Sequence, residues 1–90
     1  MVYVITYNLN QPGRDYKALY EALMQYEYIR DPALESVWFI SIPNTTATDI
    51  TNYLLNYIDA TDRLFVTKIK SGEAAGWMHS DIWSWINARL

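Results

Sequence analysis

The chain has 90 residues and a formal net charge of −3, with 7 basic side chains against 10 acidic ones. That length holds one domain and not two, and the acidic balance argues against a non-specific duplex binder, which needs a broad cationic face to displace counterions. With no cysteine and a single histidine, His79, the chain excludes disulfide staples, thiolate metal sites and a multi-histidine centre within one copy.

Residues 2–9 read as a strand of β-branched and aromatic residues, apolar on both faces, and Pro12-Gly13 punctuates its end. The N-terminus lacks a basic region and an apolar run long enough for a signal or a membrane span, so the expected location is the cytoplasm. Over residues 15–26 the spacing of Leu19, Ala22, Leu23 and Tyr26 predicts a helix, with Asp15 placed to cap it. Residues 33–42 alternate as a strand, with Leu34, Ser36, Trp38, Ile40 and Ile42 on one face and Val37 and Phe39 on the other. Glu35-Ser36 is a candidate break into two short strands.

A second helix is predicted over 46–57. Thr46 and Asp49 form a capping box, and Ile50, Tyr53, Leu54, Tyr57 and Ile58 form the cleanest stripe in the chain. Residues 63–70 read as a strand with Phe65, Thr67 and Ile69 opposite Leu64, Val66, Lys68 and Lys70. After a loop of small residues, 80–88 read as a helix with Ser80 at its N-cap. Its apolar residues, Ile82, Trp83, Trp85, Ile86 and Leu90, cover a wider arc than one core contact needs. The order is β-α-β(β)-α-β-α, an α+β domain spanning the chain. Two helices on one sheet face leave the other to be covered by the C-terminal helix and a partner subunit, so a homodimer is expected.

Groups for bond-breaking are sparse. The serines lack a G-x-S-x-G setting, there is no phosphate loop and no G-x-G-x-x-G. Asp59 and Asp62 read as turn formers, and Lys68 and Lys70 as a solvated edge. No catalytic residue, metal or cofactor is assigned. What remains is a vocabulary for binding. Tyr7, Asn8 and Asn10 close the first strand, and Arg14 and Tyr16 open a helix whose free N–H groups favour an anion. Asn8 and Asn10 suit polar edges, while Tyr7, Tyr16, Trp38 and Trp77 suit stacking on a base. The same residues also read structurally: both asparagines as turn formers, Tyr16 as core, and the 76–79 segment as a staple onto the last helix.

Val2-Tyr3-Val4-Ile5-Thr6-Tyr7-Asn8, then a helix, then Leu34-Glu35-Ser36-Val37-Trp38-Phe39 resembles the small CRISPR adaptation subunit, CRISPR-associated protein two. In that family an apolar strand ends in Tyr-Asp, and an Arg-x-Gln-x-Ser-Val-Phe segment follows the helix. The resemblance covers roughly residues 2–70, and residues 76–90 look more like stand-alone bacterial and phage relatives of that family. It implies a ferredoxin-like β-α-β(β)-α-β sandwich with an extra C-terminal helix, a homodimer, and a metal-binding Asp at the end of strand one. Here Asn8 holds that position, and a neutral amide is a poor ligand for a hard divalent cation. Leu34 and Glu35 stand where the family carries its basic residue.

Three functions follow as expectations. The first is a non-catalytic homo-oligomer that recognises, and in one form sequesters, a small nucleotide-type ligand through Tyr7, Asn8, Asn10, Arg14, Tyr16, Trp38 and Trp77. The second is a degenerate nuclease-fold dimer that binds nucleic acid, which the charge disfavours. The third is a protein–protein inhibitor or adaptor, which the exposed aromatic content suits equally.

Overall fold

Strand β1 (Val2–Asn8) alternates two apolar sets. Val2 and Val4 point to one side of the sheet, and Tyr3, Ile5 and Tyr7 to the other. A strand apolar on both faces needs cover on both, and the computed structural model, which describes residues 1–10 and 15–90, supplies it. The fold is α+β: a four-stranded antiparallel sheet in the order β2-β3-β1-β4 with, among the described residues, three α-helices. No helix among the described residues is long and apolar enough to cross a membrane.

Helix α1 (Lys17–Leu23) is shorter than its spacing predicts. Gln25 and Tyr26 donate their N–H groups back to the Ala22 and Leu23 carbonyls, and the chain turns there. It then enters β2 (Glu27–Ile29), which the sequence does not announce. The second strand of the middle pair therefore lies upstream of residue 33 rather than arising from a split at Glu35-Ser36. Strand β3 (Val37–Ser41) is likewise shorter than the predicted 33–42. Asp31 accepts from the Ala33 N–H at its side chain and the Leu34 N–H at its carbonyl, folding that stretch into a turn. Leu34 thus leaves the Trp38 face and lines a groove beside Phe39 on the other.

Thr46 Oγ1 accepts the Asp49 N–H at 3.1 Å and starts α2 (Ala47–Leu54), as the capping box predicts. A 3-10 turn (Leu55–Tyr57) finishes that segment. Strand β4 (Arg63–Ile69) pairs with β1 along its length, from Val2 opposite Ile69 to Asn8 opposite Arg63. Gly72, at φ +80°, sits in the loop that follows, in the left-handed region that glycine favours. The N-cap of helix α3 (Ser80–Asn87) lies one residue before the expected one: His79, not Ser80, holds it, with Nδ1 accepting the Asp81 N–H at 3.2 Å.

The two faces build two cores. On one, Tyr3, Ile5, Trp38 and Ile40 meet Leu19 and Leu23 of α1 and Ile50 and Leu54 of α2, all at most 2% exposed. On the other, Val2 and Phe39 meet Ile82 and Ile86 of α3. Each such side chain contributes on the order of 1.5–3 kcal/mol when fully buried. Helix α3 covers only part of its face. Phe65, on the same side of β4 as Ile69, is 61% exposed, and Trp77, just before α3, is fully exposed.

Candidate functional site

The site grows out of the short alternation Glu27-Tyr28-Ile29-Arg30. Ile29 packs into the α3 core. Tyr28 and Arg30, two residues apart, both reach Trp38 on the other face: the Tyr28 ring lies 5.0 Å from the indole, and the Arg30 guanidinium carbon 4.2 Å from its centroid. Arg30 Nη2 donates to the Glu35 carbonyl. Its Nε is buried without a hydrogen-bond acceptor, consistent with a guanidinium seated on the ring face. Trp38 Nε1 in turn donates to the Tyr7 hydroxyl at 3.1 Å. Burial holds the Tyr7 phenol above its ordinary pKa, so it stays protonated across the neutral range. Tyr20 completes the group, 6.4 Å from Tyr7 and 6.5 Å from Trp38, nearly parallel to the indole.

Tyr7, Tyr20 and Arg30 border a cleft of ≈ 580 Å³ whose other walls are Asn8, Leu9, Glu35 and Ser36. It combines a braced cation, hydroxyl groups from Tyr7, Tyr20 and Ser36, an amide from Asn8, a carboxylate from Glu35 and aromatic walls. Such a set can take an anion on Arg30, offer Glu35 to a sugar hydroxyl or an amino group, and hold a flat ring against tyrosine. Among the described residues, no three His, Asp or Glu side chains gather into a group able to hold a metal ion.

Of the residues that the sequence nominates, the structure brings Tyr7 and Asn8 to this cleft. Trp38 is 1% exposed and acts as the platform for Arg30 instead of offering a face to a ligand. Asn10 and Tyr16 are directed elsewhere. The Asn10 N–H and the Tyr16 hydroxyl both donate to Asp62 Oδ1, at 2.7 and 2.9 Å, and Asn10 Nδ2 donates to the Thr61 carbonyl. Asp62 is buried, its Oδ2 accepts the Asp59 N–H, and its carboxylate stands at the junction expected to attract an anion. Trp77 lies on the other face of the sheet, where it lines an apolar groove, and Arg14 lies outside the described residues.

The sequence nominates neither Leu9, Tyr20, Arg30, Glu35 and Ser36 for the cleft nor Asp62 as a buried acceptor. Asp62 reads in sequence as an ordinary turn former, and nothing there distinguishes a buried acceptor from a solvated one. Arg30 was hidden because extending the helix to Tyr26 leaves no room to see the period of two at 27–30. The second face carries its own depression, an apolar groove of ≈ 350 Å³ between Val4, Phe39 and Ile69 of the sheet, Trp83 and Ile86 of α3, and the 74–78 segment with Trp77 and Met78. Comparison with family models, with curated proteins and with solved structures returns no match.

Proposed function

We propose that this protein is a non-catalytic, homo-oligomeric binder that holds, and by holding sequesters, a small nucleotide-type ligand in the Arg30 cleft. The observation that carries this reading is the brace on Arg30. Trp38 beneath it and the Glu35 carbonyl beside it fix the guanidinium before any ligand arrives, so little side-chain entropy is lost on binding. Tyr7 and Tyr20 offer ring edges and hydroxyls next to that charge, and the volume suits a mononucleotide-sized molecule. An amide at Asn8 in place of a carboxylate favours recognition over metal-assisted cleavage.

The wider assignment rests on the same footing. The element order β-α-β-β-α-β, with β1 seated between β3 and β4, supports a ferredoxin-like sandwich carrying α3 as an addition. Kinship with CRISPR-associated protein two and its stand-alone relatives, and a cytoplasmic location, belong to this proposal.

Calorimetric titration with AMP, GMP, a cyclic dinucleotide and inorganic phosphate tests it. At least one nucleotide is expected to bind, and Arg30→Ala to weaken it by about 10- to 100-fold, the equivalent of ~1.5–3 kcal/mol for a hydrogen bond to a charged group. Circular dichroism checks that the variant is folded. No heat with any probe, or equal affinity in folded Arg30→Ala, would contradict the reading.

A further inference from the structure

We infer that Arg89, just past the end of α3, is a positioning residue for Arg30. Its pairing with Glu27 clamps strand β2 from behind, and β2 leads into the guanidinium that lines the cleft. This deepens the proposed function and rests on it for the ligand, but not for the clamp itself.

Strand β2 has little to hold it. It lies at the edge of the sheet and meets β3 through three residue pairs, Glu27 with Ser41, Tyr28 with Ile40 and Ile29 with Phe39. A strand at the short end of the usual range depends on side-chain anchors. The period of two supplies them on both faces. Tyr28 and Arg30 reach Trp38 in front. Glu27 and Ile29 turn to the α3 side, where Ile29 joins the core and the Glu27 carboxylate accepts from Arg89 Nε.

Arg89 is itself held in place. Its guanidinium carbon lies 4.2 Å from the Trp85 ring centroid, a cation–π seat. Its Nη1 donates at 3.0 Å to the Trp85 carbonyl, one of the last of α3, which lack partners further along the helix. A cation at this end also suits the helix dipole. The two arginines mirror each other across β2, one stacked on Trp85 behind it and one on Trp38 in front. The ion pair is partly exposed, with 30% of the Arg89 side chain and 56% of the Glu27 side chain open to solvent, so it adds little to global stability. Its effect falls on the order of β2. Without it the strand frays more often, and Arg30 spends less time on the Trp38 ring.

The first part of the test needs no nucleotide. Amide hydrogen exchange and the Trp38 indole N–H resonance are followed by NMR in the full chain. In Arg89→Ala the protected amides of β2 are expected to exchange about 2- to 5-fold faster, as the loss of one partly exposed ion pair allows, with those of α2 unchanged. The Trp38 indole resonance is expected to move, although Arg89 packs on the opposite side of the sheet. Glu27→Gln should give the same change, and the double variant no more than either single one, since both remove one interaction. Thr46→Ala, which weakens α2, should leave β2 exchange and the Trp38 resonance as in wild type. Calorimetry supplies the second part: the nucleotide that the wild-type chain binds is expected to bind Arg89→Ala about 2- to 5-fold more weakly. Unchanged β2 exchange and Trp38 resonance in folded Arg89→Ala, additive effects in the double variant, or equal nucleotide affinity would overturn the inference. A wild-type chain that binds no nucleotide would defeat the proposed function instead, and the NMR result would still decide the clamp.

Discussion

Asp62 shows how much one side chain can organise. Its carboxylate gathers the end of β1 through Asn10 and the start of α1 through Tyr16, both far away in the chain, onto the turn before β4 that Asp59 closes. Removing a buried acceptor leaves its donors to lose solvent without return. Asp62→Ala is therefore expected to cost roughly 3 kcal/mol, read as a lower midpoint in urea at unchanged slope. A loss under about 0.5 kcal/mol, the range of an ordinary surface change, would show that the three segments do not depend on it. Arg30 is the matching case at the cleft. Neither residue was legible in the sequence, because each draws its meaning from partners brought in by the fold: Asp62 from Asn10 and Tyr16, Arg30 from Trp38. Tyr7 and Asn8 were legible because a strand's last residues sit at a sheet end whatever the topology.

At the scale of elements, the periodic segments were readable and the short ones were not. Thr46 with Asp49 marks the start of α2 by local hydrogen bonding alone, and the structure keeps that cap. Thr46→Ala should cost about 1 kcal/mol, lowering the melting temperature by roughly 4–8 °C in a domain of this size. An unchanged melting temperature would mean that tertiary packing, not the cap, sets the helix start. The three-residue β2 had no comparable local signal. It exists because Glu27, Tyr28 and Ile29 pair with Ser41, Ile40 and Phe39, and because Tyr28 and Ile29 pack on opposite faces of the sheet. Tertiary pairing of this kind overrides the helical spacing that carries the prediction as far as Tyr26. The N-cap of α3 shifted by one residue for a smaller reason: His79 can accept a hydrogen bond through Nδ1, and it takes the place expected for Ser80.

At the scale of the molecule, the apolar character of both strand faces foretold helices on both sides of the sheet, and α1 and α2 lie opposite α3 as expected. Strand order was beyond the sequence, since it depends on which edges find each other after the turns close. The finished architecture separates two surfaces, a polar cleft built on Arg30 and an apolar patch around Trp77, and the proposed function assigns recognition to the first. The central claim is that the cleft holds its ligand without breaking it. The most direct measurement is to incubate the protein with a stoichiometric amount of the nucleotide it binds, with magnesium present, and to follow the phosphorus resonances over time. A shifted, bound resonance whose integral stays constant is expected. Conversion to a hydrolysis product, stopped by EDTA, would contradict it.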